Sequence, residues 1–241
     1  MKRIILLSSA IAFSVFSYAQ QAIRKADYKY SCNAYYNAQQ YYSGAAAKAG
    51  SKAQKAYAYF QAGECARMNN DTKAAITNYG KAIKAKTDRD DVYLRLAQCQ
   101  MMKGDYLHAL ENFTEYKKRV PSDPAADTGI VSCSLAPQWM IDSTRWKVTN
   151  VKELNTEYSD FCPAWFDKKH NALMFTSKRP GQTGSKIDPN TGNLYSDMFQ
   201  ATESKTGHWN TPQTVAGDVN LPMANDGACS VTKNGSHIFF T

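Results

Sequence analysis

The cysteines of this chain are regularly spaced, and cysteine can form disulfides, bind zinc or fill a small space in a core. Cys32, Cys65, Cys99 and Cys133 are 33, 34 and 34 residues apart, without a CxxC pair or a Cys/His cluster. A regular spacing of this kind suggests one position repeated on successive stacked helices. The axes of packed helices lie about 8–10 Å apart, so disulfides between neighbouring cysteines of the series are conceivable but geometrically demanding. We favour small core residues at these positions and leave pairing open.

Other residue types form no catalytic or metal-binding pattern. Gly181–Lys186 lacks the first glycine of a phosphate-binding loop, and its lysine follows the serine. Asp188–Gly192 has turn chemistry rather than the spacing of a calcium loop. There is no HExxH or Gly-x-Ser-x-Gly motif, and the histidines are scattered, at His108, His170, His208 and His237. The sequence therefore predicts no catalytic residue, no cofactor and no metal site.

A period of 34 residues extends well beyond the cysteines. In two copies, an aromatic residue and a small pair precede an Ala-x3-aromatic pair. The matched positions are Tyr59, Ala62, Gly63, Ala75 and Tyr79, then Tyr93, Leu96, Ala97, Ala109 and Phe113. With the turn at Gly104–Tyr106 and Pro121, this pattern resembles the tetratricopeptide repeat, a helix-turn-helix unit, although Ala66 and Gln100 stand where the family usually has Tyr. The resemblance implies antiparallel helices that small residues allow to approach closely.

The regions that flank the two repeats also predict helices. Residues 22–47 predict a further hairpin, in which Ala38 and Tyr42 match the template with a shifted turn. Residues 124–134 predict a closing helix that carries Cys133 and is ended by Pro137. We expect three helical hairpins and one closing helix over residues 22–135.

The resemblance also implies a binding groove lined by the first helix of each repeat, where tetratricopeptide solenoids hold peptides or partner domains. One stripe of each first helix carries residue types that are enriched at interfaces. Phe60 and Leu94 could equally pack between helices, because periodicity does not separate two buried faces. The predicted partner-binding residues are Tyr57, Phe60, Glu64, Arg67, Met68, Leu94, Gln98, Met101 and Met102.

The N-terminus has the pattern of a secretory signal peptide over residues 1–19. Lys2 and Arg3 precede an apolar stretch from Ile4 to Phe16, and small residues before Gln20 suit signal peptidase. This stretch is too short for a permanent membrane span, and no later apolar run approaches that length. The sequence therefore predicts an exported protein without a transmembrane span.

The formal net charge of +8 is concentrated in the helical half. Residues 20–140 contain 17 Lys and Arg against 11 Asp and Glu, whereas residues 141–241 contain 10 of each. The lysines are spread along helices, without the groove or stacking platform of a nucleic-acid site. We interpret them as solvated helix faces and predict no nucleic-acid partner.

From Trp146 the periodicity changes to short alternating apolar runs between Gly, Pro, Asn and Asp turns. The predicted strands are residues 146–151, 162–166, 172–177, 197–202, 214–219 and 237–241. A strand pair also recurs, because Asp160–Pro163 leads to Leu173–Thr176 much as Asp226–Ser230 leads to Ile238–Thr241, and Phe175 and Phe240 lie 65 residues apart. This repeat suggests propeller blades with a long insertion at residues 179–195.

Several motifs lie in the second half of the chain, namely Tyr158–Pro163, Phe175–Arg179, Tyr195–Phe199, Gly207–Pro212 and Asn225–Gly227. They are similar to the TolB-like, WD-repeat-like propeller blades of Bacteroidetes envelope proteins, although Cys162 and Cys229 stand where such blades more often carry a small polar residue. A propeller has about four to eight blades, and only one blade and the start of a second fit into residues 146–241. Since the chain also ends within an apolar run, we expect it to be the N-terminal part of a longer protein.

The expected fold class is α + β multidomain, an all-α tetratricopeptide solenoid (residues 20–140) followed by the first blade or so of an all-β propeller (residues 141–241). This order resembles the OmpA-family envelope proteins of that phylum. The resemblance implies a non-enzymatic periplasmic scaffold, associated with the outer membrane or cell wall, whose partners are envelope or type IX secretion-system proteins. Peptidoglycan binding is implied only for a full-length protein with a further OmpA-like domain.

Two other functions stay open at this point. TolB-like propellers also precede peptidase domains, so the chain could belong to an exported hydrolase. A propeller could also sense a glycan or a peptide. The downstream sequence would separate these possibilities, because a wall-binding pattern favours the scaffold and a nucleophile elbow favours the hydrolase.

Overall fold

A computed structural model describes residues 19–142, 146–181 and 183–241. These residues separate into a helical unit, which ends before Trp146 and takes in Pro189–Thr191, and a sheet unit, Trp146–Asp188 with Gly192–Thr241. The predicted signal peptide falls outside the described residues except for Ala19. In the described part of the chain, no helix has both the length and the apolar character needed to cross a membrane.

The helical unit contains seven helical segments among its described residues. Each helix from α2 to α6 packs against the next one in the chain. This order and packing form a tetratricopeptide-like arrangement, and the prediction of three hairpins followed by a closing helix is confirmed. The segments are α1 (19–31), α2 (Tyr35–Ala47), α3 (Lys52–Met68), α4 (Thr72–Lys84), α5 (Asp91–Met102), α6 (Tyr106–Arg119) and α7 (Pro124–Ile141).

The turn inside each full repeat is encoded at the same two positions. Asn70 and Gly104 have φ angles of 57° and 76°, a left-handed conformation that Gly and Asn adopt more readily than other residues. Asp71 and Asp105 follow as N-caps, and each side chain accepts a hydrogen bond from the backbone N–H three residues on, at 3.0 and 3.4 Å. The cap satisfies a donor that the first turn of a helix leaves free, so the repeat fixes where α4 and α6 begin.

Glycine allows the helices to approach closely at two places in the core. A Cβ atom on Gly63 would lie 2.6 Å from Cε1 of Tyr79, and one on Gly129 would lie 2.4 Å from Cε1 of Phe113. The two aromatic residues occupy the Ala-x3-aromatic position of α4 and α6 and are almost fully buried. The predicted combination of small residues and aromatic rings therefore holds the hairpins together.

Three of the periodic cysteines are core residues. Cys65, Cys99 and Cys133 are buried in three different clusters, as expected for small apolar side chains. Burial and the neighbouring Glu64 raise the pKa of Cys65 to about 12, which keeps this thiol neutral. Cys32 differs from these three in its environment, because it is exposed in the turn that follows α1.

The closing helix is longer than predicted. The prediction that Pro137 ends α7 was wrong, since the helix continues to Ile141 with Pro137 inside it. Proline lacks the N–H that would donate to the Cys133 carbonyl four residues earlier, and its ring crowds that carbonyl, yet the helix does not end here. Helical hydrogen bonding resumes beyond it, and the Asp142 N–H donates to the Gln138 carbonyl at 3.0 Å.

The sheet unit contains one four-stranded antiparallel sheet, in which the strands follow each other in chain order, and a separate two-stranded pair. Four strands make a sheet the size of one propeller blade, and the described residues contain no closed propeller. The predicted strands at residues 172–177 and 197–202 are confirmed. The strands are β1 (Asp160–Trp165), β2 (Ala172–Ser177), β3 (Asp197–Thr202), β4 (Gln213–Thr214), β5 (Ser230–Val231) and β6 (Ile238–Phe239).

Two other predicted strands were wrong in extent or in existence. Residues 146–151 form no strand, and Trp146 and Val148 are 85% and 93% exposed, because an alternating pattern becomes a strand only where a neighbour covers its apolar face. The strand predicted over residues 214–219 ends at Thr214, and Gly217 has a φ of 96°, which lies outside the range of regular β-strands.

A buried ion pair organises the four-stranded sheet. Arg179 Nη2 donates to Asp160 Oδ1 at 2.6 Å, and Arg179 Nε donates to Ser177 Oγ at 2.8 Å. The guanidinium carbon lies 5.0 and 5.1 Å from the ring centroids of Phe175 and Phe199, a cation–π geometry. Two segments of the propeller resemblance, residues 158–163 and 175–179, thus meet in one network.

The network determines the ionisation of Asp160. Burial by itself would raise the pKa of this carboxyl group, but hydrogen bonds from Ser177, Arg179 and Thr156 outweigh burial and lower the pKa below its usual value. A carboxylate whose pKa is lower in the folded state stabilises the fold above its unfolded pKa. That stabilisation is lost as the pH falls through the folded pKa.

We expect Asp160→Asn to lower the free energy of unfolding of the sheet unit by about 3 kcal/mol near neutral pH, because the buried Arg179 loses its carboxylate. The difference from wild type should shrink between about pH 5 and pH 2, where the wild-type carboxylate is protonated as well. Urea titrations followed by tryptophan fluorescence would measure it, with the exposed Asp218→Asn as control. A difference that stays constant over this pH range would contradict the assignment.

Candidate partner-binding surface

The nine residues predicted to bind partners lie on α3 and α5, and their exposure divides them into three groups. Phe60 and Leu94 are 2% and 7% exposed in separate core clusters, so the structure assigns them to packing between helices. Glu64 is buried too. Arg67, Gln98 and Met101 are half-buried, whereas Tyr57, Met68 and Met102 are exposed.

Glu64 joins three helices. Its Oε1 accepts a hydrogen bond from the Tyr79 hydroxyl at 2.5 Å, its Oε2 accepts one from Arg67 Nη2 at 2.8 Å, and Arg95 Nε lies 3.8 Å from Oε1. Burial and this hydrogen bond raise the pKa of Tyr79, and the bond to Glu64 raises that of Arg67. Charged groups buried in this way need their partners, so the carboxylate is committed to the core.

Tyr57 is hydrogen-bonded within the fold and is also partly exposed. Its hydroxyl donates to Asp27 Oδ1 at 2.9 Å, and the same oxygen accepts a hydrogen bond from the Tyr42 hydroxyl at 2.6 Å. These bonds connect α1, α2 and α3. Tyr57 as a whole is 37% exposed, so a partner can contact this residue while its hydroxyl remains hydrogen-bonded.

Met68 and Met102 are the predicted residues most open to a partner. They are the last residues of α3 and α5, 34 positions apart, and they are 42% and 64% exposed. Methionine is flexible and polarisable, and it adapts to different protein surfaces. The repeat therefore presents the same adaptable side chain at two equivalent helix ends.

An apolar stripe on α7 was missed by the sequence analysis. Val131, Leu135 and Trp139 follow each other at four-residue spacing and are 56%, 43% and 61% exposed. Terminal helices of solenoids usually turn a polar face outward, so this exposed apolar stripe is a candidate interaction surface. The spacing was available in the sequence, but the prediction that the helix ends near Pro137 concealed it.

A cleft lined by lysines was also missed. A cavity of about 370 Å³ lies between the first turn of α3 and the last turn of α4, and Lys81 Nζ is 5.5 Å from the centroid of the Tyr59 ring beside it. The sequence analysis treated these lysines as dispersed. The hairpin brings together two lysine pairs that are nearly thirty residues apart. The cleft is lined by Lys52, Lys55, Tyr59, Lys81, Lys84, Ala85 and Lys86.

The sheet unit has a larger cavity of about 940 Å³ between the loop after β1 and the β5–β6 hairpin. Trp165 at its wall stacks on Trp209 at 6.1 Å and lies 5.3 Å from the His170 ring. His170 and His237 both line it, although the sequence showed only scattered histidines. The described residues contain no cluster of His, Cys, Asp and Glu able to hold a metal ion.

Comparison with known proteins yields structural similarities only. No protein-family model and no curated protein matches this chain. The solved structures similar to it include the type III secretion chaperone SycD of Yersinia enterocolitica, in complex with a peptide of the translocator YopD. Its identity is 14%, covering 49% of this chain and 93% of that one, with a TM-score of 0.43.

A second similar structure is the TPR2AB domain of yeast Sti1 in its pHSP90 complex. The identity is 20%, the match covers 55% of this chain and 48% of that one, and the TM-score is 0.40. Because both TM-scores are below 0.5, neither similarity establishes the fold or the function of this chain. The order and packing of the helices themselves establish the tetratricopeptide-like arrangement.

Proposed function

We propose that this chain is a non-enzymatic scaffold that binds other proteins through its helical unit. The observation that carries the proposal is the pair of exposed methionines at equivalent helix ends, Met68 and Met102, on two helices whose other predicted partner-binding residues are buried, half-buried or hydrogen-bonded within the chain. Rigid repeats of this kind present extended surfaces to partners. The stripe on α7 adds further apolar surface to the same unit.

We further propose that this scaffold works in the periplasm, associated with the outer membrane or the cell wall. The signal-peptide pattern of residues 1–19 supports export. The order of repeats and TolB-like motifs resembles that of PorE, a periplasmic component of the type IX secretion system. Partners would then be envelope or secretion-system proteins, and peptidoglycan would be bound only through a further OmpA-like domain.

A second candidate function is ligand sensing by the sheet unit. The cavity of about 940 Å³ beside Trp165 favours it, since aromatic side chains supply contact area for sugars and peptides alike. This function would be added to the scaffold role, because the two surfaces lie on different units.

We expect the double substitution of Met68 and Met102 by Ser to weaken capture of envelope partners roughly 30-fold, because truncating interface anchors costs about 2 kcal/mol or more. Immobilised protein, an envelope extract of the source organism and quantitative mass spectrometry would measure the loss. Leu107→Ser, which changes an exposed apolar residue of α6, is the matched control. Unchanged capture by the double variant, with the helical signal intact, would contradict the surface assignment.

Export predicts a defined N-terminus. The mature protein should begin at Gln20 and fractionate with the periplasm or the envelope, because signal peptidase requires a small residue before the cut. Replacing Ala19 by Phe should leave the precursor uncleaved. N-terminal sequencing and cell fractionation test both points, and an uncut wild-type chain in the cytoplasm would refute export.

A further inference from the structure

The lysine cleft, defined by Lys52, Lys55, Lys81, Lys84 and Lys86 around Tyr59, concentrates positive charge at one end of the α3–α4 hairpin. All five lysines are exposed. In the described part of the chain, the ion pairs involve other cations, so none of the five is matched by a carboxylate. Five like charges around one cavity repel one another, so this arrangement does not by itself stabilise the fold.

The next hairpin shows that the fold does not require this charge. Residues 53–86 contain six Lys and Arg against two Asp and Glu, whereas the equivalent residues 87–120 contain six of each. The two acids of the first hairpin are both used internally, since Glu64 bonds Tyr79 and Asp71 caps α4. One repeat is therefore neutral and the other strongly basic, although both fold in the same way.

The neutral hairpin also shows which group satisfies the cations at this place. Tyr93, the equivalent of Tyr59, has the Arg119 guanidinium 4.6 Å from its ring centroid. Arg119 in turn donates to Glu115 Oε1 at 2.9 Å and to Asp90 Oδ1 at 3.2 Å. Two carboxylates thus close the cation cluster from within the chain.

In the basic hairpin both carboxylates are missing. The equivalent of Glu115 is Lys81, and the equivalent of Asp90 is Ala56. Lys81 lies over Tyr59 much as Arg119 lies over Tyr93, so the cations and the ring remain while the acids have gone. The cleft therefore has the cation and the aromatic ring of the neutral hairpin, but it lacks the two carboxylates that pair with the cation there.

We propose that the lysine cleft binds an acidic segment of a partner protein, whose Asp or Glu side chains replace the missing carboxylates. The proposal rests on the proposed scaffold function and names the chemistry of one partner. Lysine supplies compact charges on flexible stems, and the equivalent place in the neutral hairpin is filled by carboxylates, those of Glu115 and Asp90. The lysine stems and Tyr59 form apolar walls that can cover the backbone of the bound segment.

The test is isothermal titration calorimetry of the full chain with a capped peptide of about eight glutamates at roughly 50 mM salt, where screening is weak. Lys81→Glu restores the acid of the neutral hairpin, and we expect it to lower the affinity for the peptide roughly tenfold or more. Lys73→Glu is the matched control, since Lys73 is exposed on the same helix, in its first turn, and the change in charge is the same. It should alter the affinity by no more than about twofold.

Three results would overturn the proposal. The first is that the wild type does not bind the peptide. The second is that both variants lose affinity for the peptide equally, which would indicate an effect of net charge alone. The third is that tripolyphosphate or phosphatidylglycerol vesicles, and not the peptide, bind in a manner that depends on Lys81. Circular dichroism and thermal unfolding verify that both variants are folded. The variant in which Met68 and Met102 are Ser should bind the peptide like wild type, so failure here is distinguishable from failure of the scaffold function.

Discussion

The contact between Gly63 and the Tyr79 ring sets how closely α3 and α4 pack, and the helical unit depends on it. No side chain fits between them, because a Cβ atom on Gly63 would lie within 2.6 Å of the ring. The next residue, Glu64, holds the hydroxyl of the same tyrosine and also reaches Arg67 and Arg95. Ring position, helix spacing and a buried charge are thereby fixed together. Phe60 packs on the ring at 5.8 Å, so a single tyrosine connects the repeat to its apolar cluster and to α5.

This arrangement decides which residues remain for a partner. Glu64 and Arg67 have residue types that suit an interface, yet their charges are used inside the fold. What remains is placed at the ends and edges of the repeats, where Met68 and Met102 end their helices and the lysine cleft lies beside the first turn of α3. In the proposed scaffold, a rigid interior with an adaptable exterior would offer a partner a preorganised surface, which lowers the entropic cost of binding.

The period of the sequence was sufficient to predict the helices, because small residues, rings and turn signals recur every 34 positions. It could not decide the face of Phe60 and Leu94, since buried and groove-lining stripes have the same periodicity. It also misjudged Pro137, because helical hydrogen bonding resumes beyond the bond that this proline removes. The lysine cleft was hidden for another reason. Lys55 and Lys81 become neighbours only when the hairpin closes, and nothing local to either lysine indicates this.

The measurement that tests the account most directly is the free energy of unfolding in urea, followed by circular dichroism at 222 nm, of alanine variants at two glycines of the same hairpin. Gly63→Ala should lower the free energy of unfolding by about 2 kcal/mol, because the added methyl group displaces a buried ring. Gly80→Ala should raise it by about 1 kcal/mol, since nothing lies within 4 Å of a Cβ atom there and alanine is the better helix former. If both substitutions stabilise the chain equally, α3 and α4 are not held together by the contact described here.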